Sequence, residues 1–100
     1  MRRLRIARQA YADLDAIADF IRRDNPDRAE SFVNEIADKI AQIVELPLAY
    51  PERTEWRSGL RSGVHGRYLI LFLCDDGEVA VLRVLHGARD IAGMFMGDED

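Results

Sequence analysis

The spacing of hydrophobic and polar positions changes several times along this chain, and each change predicts an element. From Arg2 to Ala7, Leu4 and Ile6 alternate with Arg3 and Arg5, which predicts a short strand with one wet face at a sheet edge. From Arg8 to Asp24, Ala10, Leu14, Ile17 and Ile21 recur at three- and four-residue steps. Tyr11, Ala18 and Phe20 widen that stripe, so the segment reads as an amphipathic helix whose stripe is core. Its acids precede Arg22 and Arg23, an order that suits the helix macrodipole. Asn25 is a good N-cap and Pro26 suits a first helical position. A second helix is therefore predicted from Pro26 to about Leu46, striped by Ala29, Phe32, Val33, Ile36, Ile40, Ile43 and Val44 and stopped by Pro47. The short turn between them makes an antiparallel helical hairpin.

Residues 47–58 show no period and read as a loop of about twelve residues, a length that often carries function. Strand patterns follow: Gly59 to His65, Arg67 to Cys74, a turn at Asp75-Asp76-Gly77, and Glu78 to His86. The order β-α-α-β-β-β predicts an α+β fold, an antiparallel sheet of three to four strands with the N-terminal helical hairpin packed on one face. The two long strands are apolar on both faces, with Leu69, Leu71 and Leu73 opposing Tyr68, Ile70 and Phe72. One hairpin covers one face. The other face is then either an exposed partner surface or covered by the apolar tail residues Ile91, Met94, Phe95 and Met96.

Composition narrows the class. One hundred residues, 48% hydrophobic and 32% charged, make a single domain over 1–100, with a flexible acidic tail from about 92 to 100. No apolar run is long enough to span a membrane, and the arginine-rich start leads into no apolar signal segment. A lone cysteine, Cys74, forms no internal disulfide and fits the reducing cytoplasm, where it reads as a small buried hydrophobe. The net charge of −4 disfavours non-specific binding to a polyanion, and no direct sequence-specific nucleic-acid binding is expected. Lys39 is the single lysine, and residues 51–74 set Arg53, Arg57, Arg61 and Arg67 against Glu52 and Glu55, a local charge of +2. Arginine suits planar, bidentate recognition of carboxylates, so this stretch is a candidate partner surface or else a solvated face.

Individual residues carry two readings each. Trp56, flanked by arginines, is an interface hot spot or a lid over the core edge. Arg83, inside an apolar strand, binds a partner or pairs with Asp90 or a helix carboxylate. His86 is a functional group or a hydrogen-bonded strand end. The glycines have no phosphate-loop spacing and no His/Asp/Glu cluster has metal-ligand spacing, so no cofactor and no metal are expected.

Ala10-x-x-Asp13-Leu14-x-x-Ile17, then Asn25-Pro26 before an Ala/Phe-striped helix, resembles the helical signature of the RelE/ParE superfamily of bacterial toxins. Gly59-Leu60-Arg61, Arg67-Tyr68-Leu69-Ile70 and Arg83-Val84-Leu85-His86-Gly87-Ala88-Arg89-Asp90 extend the resemblance to about Ile91, nearly the whole chain. The resemblance implies a cytoplasmic toxin of a type II toxin–antitoxin pair, bound and silenced in a hetero-oligomer by a cognate, ParD-like antitoxin. Its ParE branch implies inhibition of DNA gyrase by binding; Trp56, Arg57, Arg61, Arg67, Arg83, His86 and Arg89 are then read as partner-binding residues, the arginines facing acidic residues of the antitoxin. Its RelE branch implies a ribosome-dependent mRNA endoribonuclease, for which Arg67, His86 and Glu52 would be the catalytic set. Two departures favour the ParE branch: Gly87 stands where similar nucleases carry tyrosine, and the lysines that crowd their sites are missing. That glycine is expected to hold a backbone angle a tyrosine could not adopt. A third alternative is a non-toxic relic that only binds antitoxins.

Overall fold

The computed structural model describes residues 2–87 and Asp90. Strand β1 (Arg3–Ile6) is followed by helices α1 (Arg8–Asp24) and α2 (Pro26–Glu45), a 3-10 turn (Pro47–Ala49), and strands β2 (Arg61–His65), β3 (Tyr68–Cys74) and β4 (Glu78–His86). The sheet order is β1-β4-β3-β2. The β2–β3 and β3–β4 pairs are antiparallel, as the short turns between them require, whereas β1 runs parallel to β4. The sheet is thus mostly antiparallel with one parallel pair. A parallel pair needs a long crossover, and here the whole intervening chain supplies it.

Local chemistry sets the helix ends. The Asn25 side chain accepts a hydrogen bond from the Arg28 backbone N–H at 3.1 Å, and Pro26 opens α2. Helix α1 starts from Ala7 with no side-chain cap and no acid in its first turn, so only the C-terminal half of the expected charge order, Arg22 and Arg23, meets the macrodipole. Asp75 Oδ1 accepts from the backbone N–H groups of Gly77 and Glu78, both at 2.8 Å, which closes the β3–β4 turn.

Two apolar clusters flank the sheet. Between helices and sheet lie Ala10, Phe32, Ile36, Ile40, Ile43, Ile70, Phe72, Val79, Val81 and Val84. On the other face, Leu60, Leu69, Leu71 and Leu85 are each no more than 9% exposed, with Trp56, Leu73 and Leu82 packed against them. That face is therefore buried, with Leu60 and Trp56 contributed by the 50–60 loop; the tail residues Ile91, Met94, Phe95 and Met96 lie outside the described residues. Three stripe residues expected in the core are instead exposed: Tyr11, Phe20 and Val33. A bulge between Leu71 and Phe72 of β3 and Val81 to Arg83 of β4 shifts the register. It explains why Val79, Val81 and Val84 all face the helices although their spacing is two and then three.

Candidate partner-binding site

Exposed apolar side chains gather where β1 meets the helical hairpin. Leu4 and Ile6 of β1, Tyr11, Leu14 and Asp15 of α1, and Val33, Ile36, Ala37 and Ile40 of α2 line a groove of about 300 Å³. Leu4 is 44% exposed, Tyr11 55% and Val33 38%, so the groove is open to solvent on an apolar floor. The sequence pattern places Leu4 and Ile6 on a strand, and Tyr11, Leu14, Val33, Ile36 and Ile40 in the helical core stripe. The available signal was the width of that stripe, broader than one sheet face can cover.

The expected recognition residues divide into committed and available side chains. Arg83 Nε and Nη2 donate to Asp13 of α1 at 2.8 and 3.0 Å, and Asp13 also accepts from the Val84 backbone N–H at 3.0 Å. A helix carboxylate therefore holds Arg83, one of the alternatives open from the sequence. Arg61 donates to the Tyr50 carbonyl at 2.6 Å and to Glu52 at 3.1 Å, which ties the loop to the start of β2. Trp56 is half-buried on the leucine cluster with the Arg53 guanidinium 4.8 Å above its ring. Arg57 and Arg67 are exposed. The His86 backbone N–H donates to Asp90 at 2.9 Å, and its ring meets Tyr68 edge-on at 5.6 Å. Arg89 lies outside the described residues.

Of the candidate nuclease set, the structure brings together two members. Tyr68 pairs with His86 across β3 and β4, and the Gly87 N–H donates to the Arg67 carbonyl at 2.8 Å, so Arg67 and His86 share one end of the sheet. Glu52 bridges to Arg61 at the opposite end of β2, about 13 Å away at roughly 3.3 Å per residue. Gly87 has no positive φ, and a Cβ there would meet the Arg67 carbonyl oxygen at an ordinary 3.5 Å, so the backbone angle expected to exclude tyrosine is absent.

A polar cluster that sequence reasoning did not single out sits beside that end. His65 Nε2 lies 2.7 Å from Glu35 Oε1, and Glu35 also accepts from Arg28 at 2.6 Å. The Arg28 hydrogen bond, then the His65 one, hold the Glu35 carboxyl below its ordinary range, and Glu35 raises Arg28 in return. Residues thirty positions apart give no spacing signal for such a contact. No group of three or more His, Cys, Asp or Glu side chains able to hold a metal occurs among the described residues, and no helix there is long and apolar enough to cross a membrane.

Comparison with known proteins agrees with this architecture. A family profile described as the ParE toxin of type II toxin-antitoxin system, parDE, matches residues 4–91. Among solved structures, the chain is similar to one from the chromosomal ParDE TA system from P. aeruginosa, with a TM-score of 0.75 and 25% identity over 86% of this chain and 96% of that one. No curated protein matches the sequence.

Proposed function

This chain belongs to the ParE toxin family of type II toxin–antitoxin systems, and from that premise we propose that it is a cytoplasmic toxin that inhibits DNA gyrase by binding and is silenced by a ParD-like antitoxin. The observation that carries the antitoxin reading is the groove floored by Leu4, Tyr11 and Val33. An amphipathic helix fits such a groove by inserting apolar anchors at i, i+3 or i+4, and i+7. The exposed Arg57 and Arg67, together with Trp56, form the recognition set we assign to the target, with Arg89 from the segment beyond Gly87.

Binding rather than cleavage is supported by the inventory of reactive groups. Cleaving RNA needs a group to take the ribose 2′-OH proton, donors for the phosphorane and an acid for the leaving oxygen. Arg67 and His86 stand together, but Glu52 is held by Arg61 at the far end of β2 and Gly87 offers no side chain. The deciding experiment uses purified toxin freed from antitoxin in parallel gyrase-supercoiling and ribosome-programmed mRNA-cleavage reactions. Gyrase inhibition with intact mRNA is the expected result. Cut mRNA with unaffected gyrase overturns the reading, and failure to arrest growth on expression marks a relic. Arg67→Glu is the cleaner recognition test, because Arg61→Glu would also break the bonds to Tyr50 and Glu52.

A further inference from the structure

The loop between the 3-10 turn and β2 is long, yet it is closed on itself. The Arg53 backbone N–H donates to the Leu60 carbonyl at 2.6 Å, and the Arg53 carbonyl accepts from the N–H groups of Trp56 and Arg57 at 3.0 and 3.1 Å. Leu60 N–H donates to the Arg57 carbonyl at 3.2 Å, and Gly59 takes the positive φ of 81° that this tight return requires. Ser62 N–H donates to the Pro51 carbonyl at 3.2 Å and Glu52 bridges to Arg61, which fastens the loop to β2. The backbone of this loop is therefore fixed before any partner arrives.

Inside that frame the Arg53 side chain makes three contacts. Its Nε donates to Ser62 Oγ at 2.9 Å, and Ser62 is buried, only 1% exposed. Its guanidinium carbon lies 4.8 Å from the centroid of the Trp56 ring, within cation–π range. Its Nη1 lies 3.6 Å from Glu55, whose side chain is 56% exposed, so that pair contributes little. The buried hydroxyl anchors the guanidinium, and the guanidinium lies over the indole. Trp56 also packs on the leucine cluster beneath the loop and stays half-buried, with Arg57 exposed beside it. Arg57 is held by backbone bonds that no change of the Arg53 side chain removes, whereas the Trp56 ring depends on that side chain directly.

We infer that Arg53 is a positioning residue for target recognition: anchored on Ser62, it fixes the Trp56 ring in its presented arrangement and touches no target itself. A partner that met a loose indole would have to immobilise it first. With two side-chain torsions to fix, that weakens binding about two- to fivefold. This inference rests on the assignment of Trp56 to the target made above.

The test exploits the fact that Trp56 is the single tryptophan of the chain. Acrylamide quenching of the intrinsic fluorescence of the full chain therefore reports this loop alone. Arg53→Met keeps the apolar stem and removes the fork. It should raise quenching and weaken inhibition of gyrase supercoiling by antitoxin-free toxin about two- to fivefold. Ser62→Ala should move both readouts in the same direction. Buried Ser62 meets no target, so its effect on inhibition passes through Arg53, and it carries the test alone should Arg53→Met lose its cooperative melt. On a Trp56→Ala background neither change should weaken inhibition further. A merely structural role would lower the Tm without that dependence on Trp56. Weaker inhibition with unchanged quenching overturns the proposal, because Arg53 would then touch the target itself. Independent, multiplying losses on the Trp56→Ala background overturn it too, as does unchanged inhibition by Arg53→Met. Growth arrest on titrated expression, at matched protein levels, ranks the same variants without assuming the target. Arrest that spares gyrase but keeps the expected ranking defeats the gyrase reading and supports the positioning role. Gyrase inhibition that Trp56→Ala leaves intact overturns the positioning role and leaves the gyrase reading standing. A chain that neither arrests growth nor inhibits gyrase overturns both.

Discussion

Replacing Asp13 should be the most damaging change of a charged residue in this protein. Its carboxylate joins α1 to β4 through three hydrogen bonds, two from Arg83 and one from the Val84 backbone N–H. The Asp13 side chain is 10% exposed and that of Arg83 30%. Breaking a buried ion pair by removing one partner costs about 3–5 kcal/mol, because the remaining charge is stranded. Here the partial exposure of Arg83 lets its guanidinium recover some hydration, which lowers the expected loss. The Val84 N–H gains no such relief, and an unmade backbone bond costs about 1–3 kcal/mol. Asp13→Ala should therefore lose about 2–4 kcal/mol, and Arg83→Met, which keeps the apolar stem, somewhat less. Urea unfolding followed by far-UV circular dichroism measures both, with an unchanged m-value confirming that the folded and unfolded states keep their compactness. The double mutant should recover about 1–2 kcal/mol relative to the sum, since either single change already removes the pair. A loss below about 0.5 kcal/mol for Asp13→Ala, or strict additivity, would refute the assignment of this pair as the clasp between hairpin and sheet.

Other changes report on other parts of the fold. The depressed Glu35 carboxyl contributes stability that is fully present above the ordinary carboxylate range near 4.5 and is lost as pH falls through its lower folded value. The Tm gap between wild type and Glu35→Gln should be widest near neutrality and narrow as pH falls through and below the ordinary carboxylate range; a gap that does not narrow on acidification would contradict it. A Cβ at Gly63 would meet Ile43 Cδ1 at 3.0 Å and Tyr50 Cε1 at 3.4 Å. Gly63→Val should therefore cost about 1–3 kcal/mol by overpacking, and a thermal melt equal to wild type would show that the α2–β2 contact is loose. Gly87→Tyr should fold with a Tm within about 2 °C of wild type, since φ there is not positive and a Cβ meets its nearest neighbour at an ordinary 3.5 Å.

Most element positions were legible because their signals are local. Asn25-Pro26 marked the start of α2 through a cap and a fixed φ, and the Asp75-Asp76-Gly77 turn announced itself through side-chain chemistry three residues long. The strands at 59–65 and 67–74 were found, with starts a residue or two early, because flanking glycine and arginine do not mark where the ladder begins. Pairing was less legible. Alternation identifies β1 as a strand but carries no information about its partner, so the parallel register with β4 came only from the structure. The arginine within the apolar β4 run did signal a buried partner. That Asp13 is a partner depends on a contact seventy residues distant and on a bulge that no period reveals.

The groove was illegible for a different reason, one of length. At about 1.5 Å per residue the 17 residues of α1 span about 26 Å and the 20 of α2 about 30 Å. The four residues of β1, at about 3.3 Å each, span only about 13 Å. A strand that short cannot floor the apolar stripes of two helices about twice its length or longer. The stripe runs past it, and Tyr11 and Val33 are left beside Leu4 with water where a neighbouring strand would be. Hydrophobic period reports that a position is apolar; it does not report whether the next element is long enough to cover it. The uncovered apolar surface and the edge position of β1 thus have one cause: among the described residues no further strand lies beyond it.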